Sequence, residues 1–456
     1  MSHVFALFDP KQSAALCEKH SGIAGIGHTR YATCGADDRT YAQPFERPHG
    51  RRWKWFAICF NGNLADFQSL KQRITSQSDY HLVRDTDTEV ILHYIALALR
   101  GNRRRDLSSV FGELAKDFDG AYNLAYINAD GDVALVRDPL AFRPLSYGVE
   151  GDMFAAASES VALTNLGFTN VKEVEPGTVV LVRNGRVQTK RYAPSPEQSR
   201  CFFEWVYFSS AASVIGGRSV YQARANLGRE LAMLERNGAH HVTLDKNTIV
   251  VPVPDCAKAA GDAMAFELGI PSVEGLLRNR YIGRTFIQGA GREEKAKRKY
   301  TPLRPVLEGK RIILVEDSIV RLTTLRQVIR QIRQCGALEV HVRSTAPPIF
   351  APCFYGIDMS TVGELFAPRF LDGPVRGLLP PEVSRAMAKD MGADTLTYLP
   401  IDLVPPCIGL PENQLCMACL TGRYPTSHGQ RQYDYALRNW RDGKKDVRTY
   451  ERKENA

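Results

Sequence analysis

Up to about residue 190, short apolar runs rich in β-branched and aromatic residues alternate with amphipathic stretches. Such runs are typical of strands, and they predict strands at residues 55–60, 121–127, 133–137 and 178–183. Residues 87–99 (DTEVILHYIALAL) begin with polar residues of the helix-capping type and then repeat apolar positions at helical spacing, which predicts a helix. We therefore expect strands and helices to be combined in this part of the chain.

After residue 200 the pattern changes to alternating strands and helices. Residues 249–252 (IVVP) and 311–315 (RIILV) are continuous apolar runs typical of buried parallel strands, and a helical stretch follows each. Residues 340–343 (VHVR) predict a further strand, after a helix at 323–335. The polar segment 193–200 carries two prolines and is the best boundary, so we expect two domains, residues 1–199 and 200–456.

Two other stretches predict little core structure. Residues 289–311 are basic and have no clear periodicity, which indicates a mobile loop. The polar tail beyond residue 425 predicts an exposed helix with a frayed end.

The composition of the 456 residues is that of a globular protein, with 44% hydrophobic and 24% charged residues. No apolar run approaches the roughly 20 residues of a membrane span, and the N-terminus lacks a signal-peptide pattern, so we expect a cytoplasmic protein without a membrane partner. The net charge of +9 suits polyanionic ligands but does not identify one. Ten cysteines in a chain of this length do not indicate a secreted disulfide framework.

The most specific catalytic pattern is IILVEDSIVRLTT at residues 312–324. A buried strand ends in two carboxylates, and hydroxyl side chains follow at the start of a helix; these residues are Glu316, Asp317, Ser318, Thr323 and Thr324. Amide and hydroxyl groups at a helix N-terminus bind phosphate, and carboxylates accept hydrogen bonds from sugar hydroxyls. The pattern therefore predicts a site for a ribose 5-phosphate. The simpler alternative is a capped turn with solvated acids.

The string resembles the phosphoribosyl-pyrophosphate (PRPP) loop of type I phosphoribosyltransferases, and most closely that of the amidophosphoribosyltransferase family. Residues 251–255 (VPVPD) resemble the strand before that family's mobile loop, and residues 278–287 (RNRYIGRTFI) resemble the loop that folds over PRPP. The resemblance implies that Arg278 binds substrate. It also implies that the residues acting over the pyrophosphate are Arg280, Tyr281 and Arg284.

The loop departs from the family pattern at two positions. Glu316 stands where the family usually has aspartate, and Leu322 stands where it usually has glycine. Because glycine lets the backbone approach a phosphate closely, a Leu322 forced to positive φ would weaken the pocket. On this hypothesis, Leu322→Gly leaves activity unchanged or improves PRPP binding. The resemblance also implies Mg²⁺ bound with the pyrophosphate at Glu316 and Asp317.

The N-terminal part contains four short strings in a fixed order: GHTRYAT at 27–33, AQPF at 42–45, FNGNL at 60–64 and DTDTE at 85–89. Together they resemble the glutaminase domain of class II amidotransferases. The resemblance implies that Arg30 binds the α-carboxylate of glutamine, Asp87 its α-ammonium group, and that Asn61 and Gly62 form the oxyanion hole. His28 is interpreted as a structural histidine.

The same resemblance implies the fold class, which is mixed α/β and α+β. It consists of an N-terminal-nucleophile αββα sandwich followed by a type I phosphoribosyltransferase domain with a doubly wound α/β sheet.

Class II glutaminases attack glutamine with a cysteine that becomes residue 1, whose α-amine acts as the base. This chain begins Met1-Ser2-His3, and Cys17 and Cys34 have no free amine. We therefore expect a glutaminase domain that lacks its N-terminal segment, and turnover with ammonium salts but not with glutamine. Ser2 as the nucleophile is the less favoured alternative.

Cys416 and Cys419 form a C-x-x-C pair, which alone could be a redox pair, half of a zinc site or chance. The surrounding LCMACLTGRYP resembles the closing motif of the iron–sulfur subgroup of the family. Cys201 in CFFEWVY and Cys353 in PCFYGID match the other two positions of that subgroup. The resemblance implies a [4Fe–4S] cluster with a structural role, and zinc is the competing metal. The remaining cysteines are interpreted as small apolar residues.

The implied activity is synthesis of 5-phosphoribosylamine from PRPP and glutamine or ammonia, as an enzyme of purine biosynthesis. The expected partners are these small molecules, purine nucleotides as inhibitors, and further copies of the chain, with no nucleic acid. The alternative is a PRPP-binding regulatory protein without catalysis, which the net charge and Leu322 would suit. Against it, such repressors carry a winged helix, whereas the N-terminal strings here resemble a glutaminase.

Overall fold

A computed structural model describes residues 15, 18–19, 21–29, 39–77, 79–195, 197–238, 242–279 and 299–444. The strands in these ranges are β1 (Phe45–Arg47), β2 (Phe56–Leu64), β3 (Gly120–Asn128), β4 (Val133–Arg137), β5 (Ser146–Glu150), β6 (Met153–Ala157), β7 (Val171–Glu173), β8 (Thr178–Arg183), β9 (Arg186–Arg191), β10 (Arg200–Cys201), β11 (Val214–Ile215), β12 (Arg218–Ser219), β13 (Thr248–Pro252), β14 (Leu276–Arg278), β15 (Tyr300–Pro302), β16 (Arg311–Glu316), β17 (Glu339–Ser344), β18 (Thr395–Tyr398) and β19 (Leu415–Cys416). The α-helices in these ranges are α1 (Phe67–Thr75), α2 (Asp87–Ala98), α3 (Leu107–Leu114), α4 (Ser160–Asn165), α5 (Val220–Arg236), α6 (Lys258–Leu268), α7 (Arg304–Leu307), α8 (Leu322–Gln334), α9 (Pro381–Met391), α10 (Val404–Ile408), α11 (Ala418–Thr421) and α12 (Ser427–Arg441).

The N-terminal part is built on a six-stranded antiparallel sheet with the order β1-β2-β3-β4-β8-β9. Alternate residues of β2, such as Phe56, Ile58 and Phe60, pack in one core with helices α1 to α3. Residues of the opposite face, including Leu135 and Val180, pack against the three-stranded sheet β6-β5-β7. Helix α4 contacts this smaller sheet. The part is therefore layered as helices, sheet, sheet and helix.

The C-terminal part is built on a parallel sheet with the order β13-β16-β17-β18. Ser272 adds a parallel bridge to Val250 of β13, on the side away from β16, so the strand order reverses between β13 and β16. The two faces of β16 are both buried, one in the core that contains α8 and the other in the core that contains α5 and α6. Ligands bind such sheets at the carboxyl ends of the strands where the order reverses. That point lies beside Pro252 and Glu316.

Polar contacts join the two parts. Glu159 Oε2 accepts hydrogen bonds from Ser210 N and Ser213 Oγ, at 2.7 and 2.8 Å. Glu173 Oε2 accepts one from Gly216 N at 2.6 Å. The N-terminus of α12 also contacts the N-terminal part, because His428 N donates to Asp119 Oδ2 at 3.0 Å.

The strands and helices predicted from periodicity occur in the structure within a few residues of the expected bounds. Two predictions were wrong in part. The stretch expected as a loop contains β15 and α7 in residues 299–311, and its earlier residues lie outside the described ranges. Helix α12 is partly buried, at Gly429, Tyr433 and Ala436, rather than fully exposed. The boundary between residues 199 and 200 stays a prediction.

Within the described part of the chain, no helix is long and apolar enough to span a bilayer.

Candidate active site

Asn61, Gly62 and Asp87 line one cavity of about 380 Å³, which we call the N-terminal cavity. Asn61 and Gly62 lie near the end of β2, and Asp87 is the first residue of α2. A Cβ atom at Gly62 would lie 2.0 Å from the carbonyl oxygen of Ala121 on β3, so this position accepts only glycine. Arg30 lies outside the described residues.

The carboxylate of Asp87 is buried, with 3% of the residue exposed. Its Oδ1 accepts hydrogen bonds from Thr86 Oγ1 at 3.1 Å and Thr88 N at 2.9 Å. Its Oδ2 has no hydrogen-bond partner among the described residues. Burial raises the pKa of Asp87 to about 6. A buried carboxylate with an unused oxygen is suited to a cationic group of a ligand, because pairing offsets the cost of burying its charge.

Gln43 joins the two elements that carry these residues. Its Oε1 accepts a hydrogen bond from Phe60 N at 2.6 Å, and its Nε2 donates to Thr88 Oγ1 at 3.2 Å. The strand end and the helix N-terminus are thereby held side by side. His28, interpreted from the sequence as structural, also lines the N-terminal cavity.

A second cavity of about 220 Å³, which we call the C-terminal cavity, lies at the carboxyl ends of β13 and β16. It brings together every described residue predicted for the PRPP site: Arg278, Glu316, Asp317, Ser318, Thr323 and Thr324. Arg280, Tyr281 and Arg284 lie outside the described residues. Lys299 also lines this cavity, although nothing in the surrounding sequence predicts that it belongs to the site.

The two carboxylates of the C-terminal cavity are held close together away from water. Burial raises the pKa of Asp317 to about 6, against the lowering effects of a hydrogen bond from Ser318 and of the nearby charge of Lys299. Burial, and then the charge of Asp317, raises the pKa of Glu316 well above its usual range. Glu316 Oε2 has no hydrogen-bond partner in the described part of the chain. Both groups are therefore suited to a cation or to hydroxyl donors.

Helix α8 starts beside these carboxylates. The residue before it, Arg321, has an extended backbone, and its side chain does not cap the helix. The guanidinium instead pairs with Glu364 and donates to the carbonyl oxygen of Asp358 at 3.0 Å. The first-turn N–H groups have no partners within the helix, and Thr323 and Thr324 add hydroxyls, which is the arrangement that binds a phosphate.

The four cysteines singled out in the sequence line a third, small cavity. Parallel pairing of β10 with β19 sets Cys201 opposite Cys416. The carbonyl oxygen of Cys419 accepts hydrogen bonds from Phe350 N and Ala351 N, at 2.8 and 3.0 Å, which brings the segment containing Cys353 alongside. The other lining side chains are mainly aromatic or aliphatic, so the thiols are shielded from water.

Comparisons with known proteins identify the family of the chain. Residues 28–165 match the family of the glutamine amidotransferase domain. The chain is 36% identical to the amidophosphoribosyltransferase of Methanothermobacter thermautotrophicus, over 93% of this chain and 84% of that protein. It is 36% identical to that of Bacillus subtilis, over 90% of this chain and 81% of that protein.

The chain belongs to the amidophosphoribosyltransferase family. A solved structure of glutamine PRPP amidotransferase from B. subtilis, complexed with ADP and GMP, aligns with a TM-score of 0.74 at 35% identity. The alignment covers 88% of this chain and 83% of that one. This amidophosphoribosyltransferase is thus a pentosyl-transferring enzyme of purine biosynthesis with a glutamine amidotransferase domain, and the alternative of a non-catalytic PRPP-binding regulator is not supported.

The structure of this amidophosphoribosyltransferase overturns the expectation for Leu322. Among the described residues, the non-glycine residues with positive φ are Ala141 and Asn184. Leu322 is the first residue of α8, and its side chain is 5% exposed in the main core of the C-terminal part. The hypothesis of backbone strain at this position is therefore wrong, because the leucine fills core space instead.

We expect Leu322→Gly to destabilise the amidophosphoribosyltransferase by about 3–5 kcal/mol, because it removes a buried side chain and leaves a cavity. Urea denaturation measures the free energy of unfolding. The control is Leu322→Met, which conserves volume and is expected to cost less than about 1.5 kcal/mol. A glycine variant as stable as the parent would show that the side chain does not support the core.

Several residues that line the N-terminal cavity were not predicted from the sequence to belong to it. Arg143, Glu204, Phe208 and Gly356 line the N-terminal cavity but come from the loop after β4 and from the C-terminal part. No local pattern connects them with Asn61 or Asp87, because only the packing of the two parts brings them together.

Proposed function

We propose that the two cavities divide the reaction, with glutamine bound in the N-terminal cavity and PRPP in the C-terminal cavity. With ammonia, the products are 5-phosphoribosylamine and pyrophosphate; when glutamine supplies the ammonia, water is consumed and glutamate is released as well. The main support is that all described PRPP-site residues predicted from separate strings line one cavity, at the point where the strand order reverses.

In the phosphoribosyl half, the N-terminus of α8 with Thr323 and Thr324 binds the 5-phosphate, and Glu316 and Asp317 accept hydrogen bonds from the ribose hydroxyls. Bound Mg²⁺ would neutralise charge on the pyrophosphate. Glu316 and Asp317 would supply the protein's carboxylate oxygens, and Mg²⁺ would take its other ligands from substrate oxygens and water, as it usually does at phosphate sites. The roles of Arg278, Arg280, Tyr281 and Arg284 over the pyrophosphate rest on the resemblance.

In the glutamine half, the unused oxygen of Asp87 binds the α-ammonium group, and Asn61 and Gly62 stabilise the oxyanion. Arg30 is assigned to the α-carboxylate by resemblance. The layers of this part are assigned to the N-terminal-nucleophile sandwich, and the parallel sheet to the doubly wound phosphoribosyltransferase domain.

The wall between the two cavities is thin. Phe208 lines both cavities, while Gly356 lines the N-terminal one and its neighbour Ile357 lines the C-terminal one. Ammonia released in the N-terminal cavity would therefore cross little more than one layer of residues to reach C1 of PRPP. This short path supports direct transfer over release to solvent.

The four cysteines are proposed as the ligands of a [4Fe–4S] cluster with a structural role. A single zinc ion needs its thiolates gathered about one point at about 2.3 Å from the metal. The four thiols here share one cavity, which would suit either metal group. The resemblance of the four cysteine strings to the iron–sulfur subgroup of the family favours the cluster over zinc.

Purine nucleotides are the expected inhibitors of this chain, and further copies of the chain are its expected partners. The B. subtilis structure is a complex with ADP and GMP, and the present chain is similar to it over most of its length. We infer that purine nucleotides bind this chain as inhibitors and that it assembles as a homo-oligomer.

The test is turnover of PRPP with ammonium salts in the presence of Mg²⁺. We expect equal amounts of pyrophosphate and phosphoribosylamine, and loss of both products with EDTA. Tight PRPP binding without pyrophosphate release would contradict the proposal.

We expect glutamine to bind more tightly as the pH rises through about 6. Its ammonium group requires ionised Asp87, whose pKa burial raises to about 6, so affinity falls up to about tenfold per pH unit below that value. Calorimetry between pH 5 and pH 8 measures the affinity. Asp87→Asn should bind weakly at every pH, whereas Asp85→Asn, at an exposed position paired with Lys71, should behave like the parent. Affinity that does not change from pH 5 to pH 7 would contradict this role.

A further inference from the structure

Residues 353–359, which we call the bridging segment, pass between the three cavities. Cys353 lines the small cavity of the four cysteines, Gly356 lines the N-terminal cavity and Asp358 lines the C-terminal cavity. The segment forms a closed turn, because the carbonyl oxygen of Met359 accepts a hydrogen bond from Cys353 N at 2.6 Å. The position of this turn therefore determines part of the wall of each cavity.

Packing fixes the bridging segment on the side of the N-terminal cavity. The ring of Tyr355 stacks on Phe142 with centroids 4.2 Å apart, and its hydroxyl oxygen lies 2.9 Å from Thr426 Oγ1. Gly356 has a φ of +98°, and a Cβ atom there would lie 3.2 Å from the carbonyl carbon of Gly62. The backbone of the segment thus packs directly against the end of β2, and its conformation there requires glycine.

On the side of the C-terminal cavity, one arginine holds the segment. Arg321 is the residue before α8, and its Nη2 donates to the carbonyl oxygen of Asp358 at 3.0 Å. Its Nε donates to Glu364 Oε2 at 2.8 Å, and its Nη2 also pairs with that oxygen. Glu364 Oε1 accepts hydrogen bonds from Ser360 N and Thr361 N, at 2.5 and 2.9 Å. The carboxylate therefore joins the arginine to the chain that follows the segment.

Arg321 lines the C-terminal cavity, yet its guanidinium is engaged by these contacts. The side chains of Arg321 and Glu364 are 21% and 23% exposed, so water screens their pairing only in part. A second link runs through the backbone, because Phe366 N donates to the carbonyl oxygen of Val320 at 3.0 Å. The start of α8 and the bridging segment are thus held as one unit, while the first-turn N–H groups of the helix have no partners within it.

We propose that Arg321 is a positioning residue for the 5-phosphate of PRPP: through Glu364 and Asp358, its guanidinium fixes the start of α8 against the bridging segment. The residue acts through these partners and does not contact the phosphate itself. The inference rests on the proposed binding of the 5-phosphate at α8. It adds the contact that holds this phosphate site in place relative to the rest of the cavity.

The test is the KM for PRPP of purified variants, from initial rates of phosphoribosylamine formation with ammonium as the nitrogen source. Arg321→Met is expected to raise KM about tenfold and to change kcat less than about threefold, because a displaced phosphate site weakens substrate binding more than the chemical step. Glu364→Gln is expected to have the same effect. Its amide oxygen can still accept from Ser360 N and Thr361 N, but an N–H donor then replaces the oxygen that faces the guanidinium.

Glu364→Gln also separates positioning from direct binding. If Arg321 contacted the phosphate itself, loss of its carboxylate partner would free the guanidinium for PRPP and leave KM unchanged or lower. If the pair acts as a unit, KM rises in both single variants, and the double variant is no worse than either. Arg321→Lys keeps a charge beside Glu364 but not the planar group that reaches two partners, so its KM should lie between those of the parent and Arg321→Met.

Two fragments of the substrate show which end of PRPP the arginine affects. The inhibition constant of ribose 5-phosphate should rise about tenfold in Arg321→Met and Glu364→Gln, whereas that of pyrophosphate should change less than about twofold. A merely structural role would raise both constants together. Matched controls are Arg326→Met and Asp390→Asn, an exposed ion pair on the same helix outside the cavity, which should change neither constant nor the KM.

The outcomes distinguish this inference from the proposed function. A parent protein that forms no phosphoribosylamine overturns both. An active parent in which Glu364→Gln leaves KM unchanged or lowers it, or in which both inhibition constants rise together, overturns the role of Arg321 alone. If Arg321→Met does not fold, Arg321→Lys and Glu364→Gln still decide the question, because the inference requires a raised KM and a raised inhibition constant for ribose 5-phosphate in each.

Discussion

Asp317→Asn is expected to lower kcat/KM for PRPP by about 10²- to 10³-fold, because the neutral amide cannot hold the ribose and its metal ion as a carboxylate does. The substitution should not lower the free energy of unfolding. Burial raises the pKa of Asp317 to about 6, so the parent loses stability as the pH rises from about 4 to 6 and the buried side chain ionises. Asparagine cannot ionise, and the variant therefore avoids this loss. We expect the variant to be at least as stable as the parent at pH 7.

The measurements are initial rates of pyrophosphate release with ammonium as the nitrogen source, together with urea denaturation. A matched control is Glu339→Gln, which removes a carboxylate at the amino end of the neighbouring strand β17, away from the cavity. That variant should keep near-parent activity. Full activity in Asp317→Asn would show that this carboxylate does not contact PRPP.

Cys419→Ser is expected to abolish the brown colour and iron content of anaerobically purified protein, which should otherwise hold about four irons per chain. It should also lower the free energy of unfolding by more than about 3 kcal/mol, since loss of a metal site is among the most destabilising changes. Cys416→Ser should behave in the same way, because both residues line the same cavity.

Iron analysis, visible absorbance and thermal denaturation measure these effects. The control is Cys407→Ser, at a cysteine that is buried elsewhere in the C-terminal core and should leave the iron content unchanged. A colourless parent protein with stoichiometric zinc would contradict the iron–sulfur assignment.

The sequence strings that contain site residues could be identified because each combines polar residues with the end of a strand or the start of a helix. In residues 312–324, one short segment holds the strand, its terminal carboxylates and the helix N-terminus, so a single sequence window contains five of the six described residues predicted for the PRPP site. Asp87 begins a helix that the apolar spacing of residues 87–99 predicted, whereas its role came from the resemblance of residues 85–89 to the glutaminase family. The assignment of glutamine and PRPP to these strings required the family resemblance.

The sequence by itself determined the strongly patterned strands and helices, such as β16 and α8, and the local motifs, since their periodicity and end residues act over a few positions. Only the tertiary structure decided which distant residues meet. Pairing of β10 with β19 brings Cys201 to Cys416, and the packing of the two parts places Arg143 beside Glu204 in the N-terminal cavity. It also decided that Leu322 is a core residue rather than a strained one. Such outcomes depend on burial and contacts between remote segments, which no local pattern encodes.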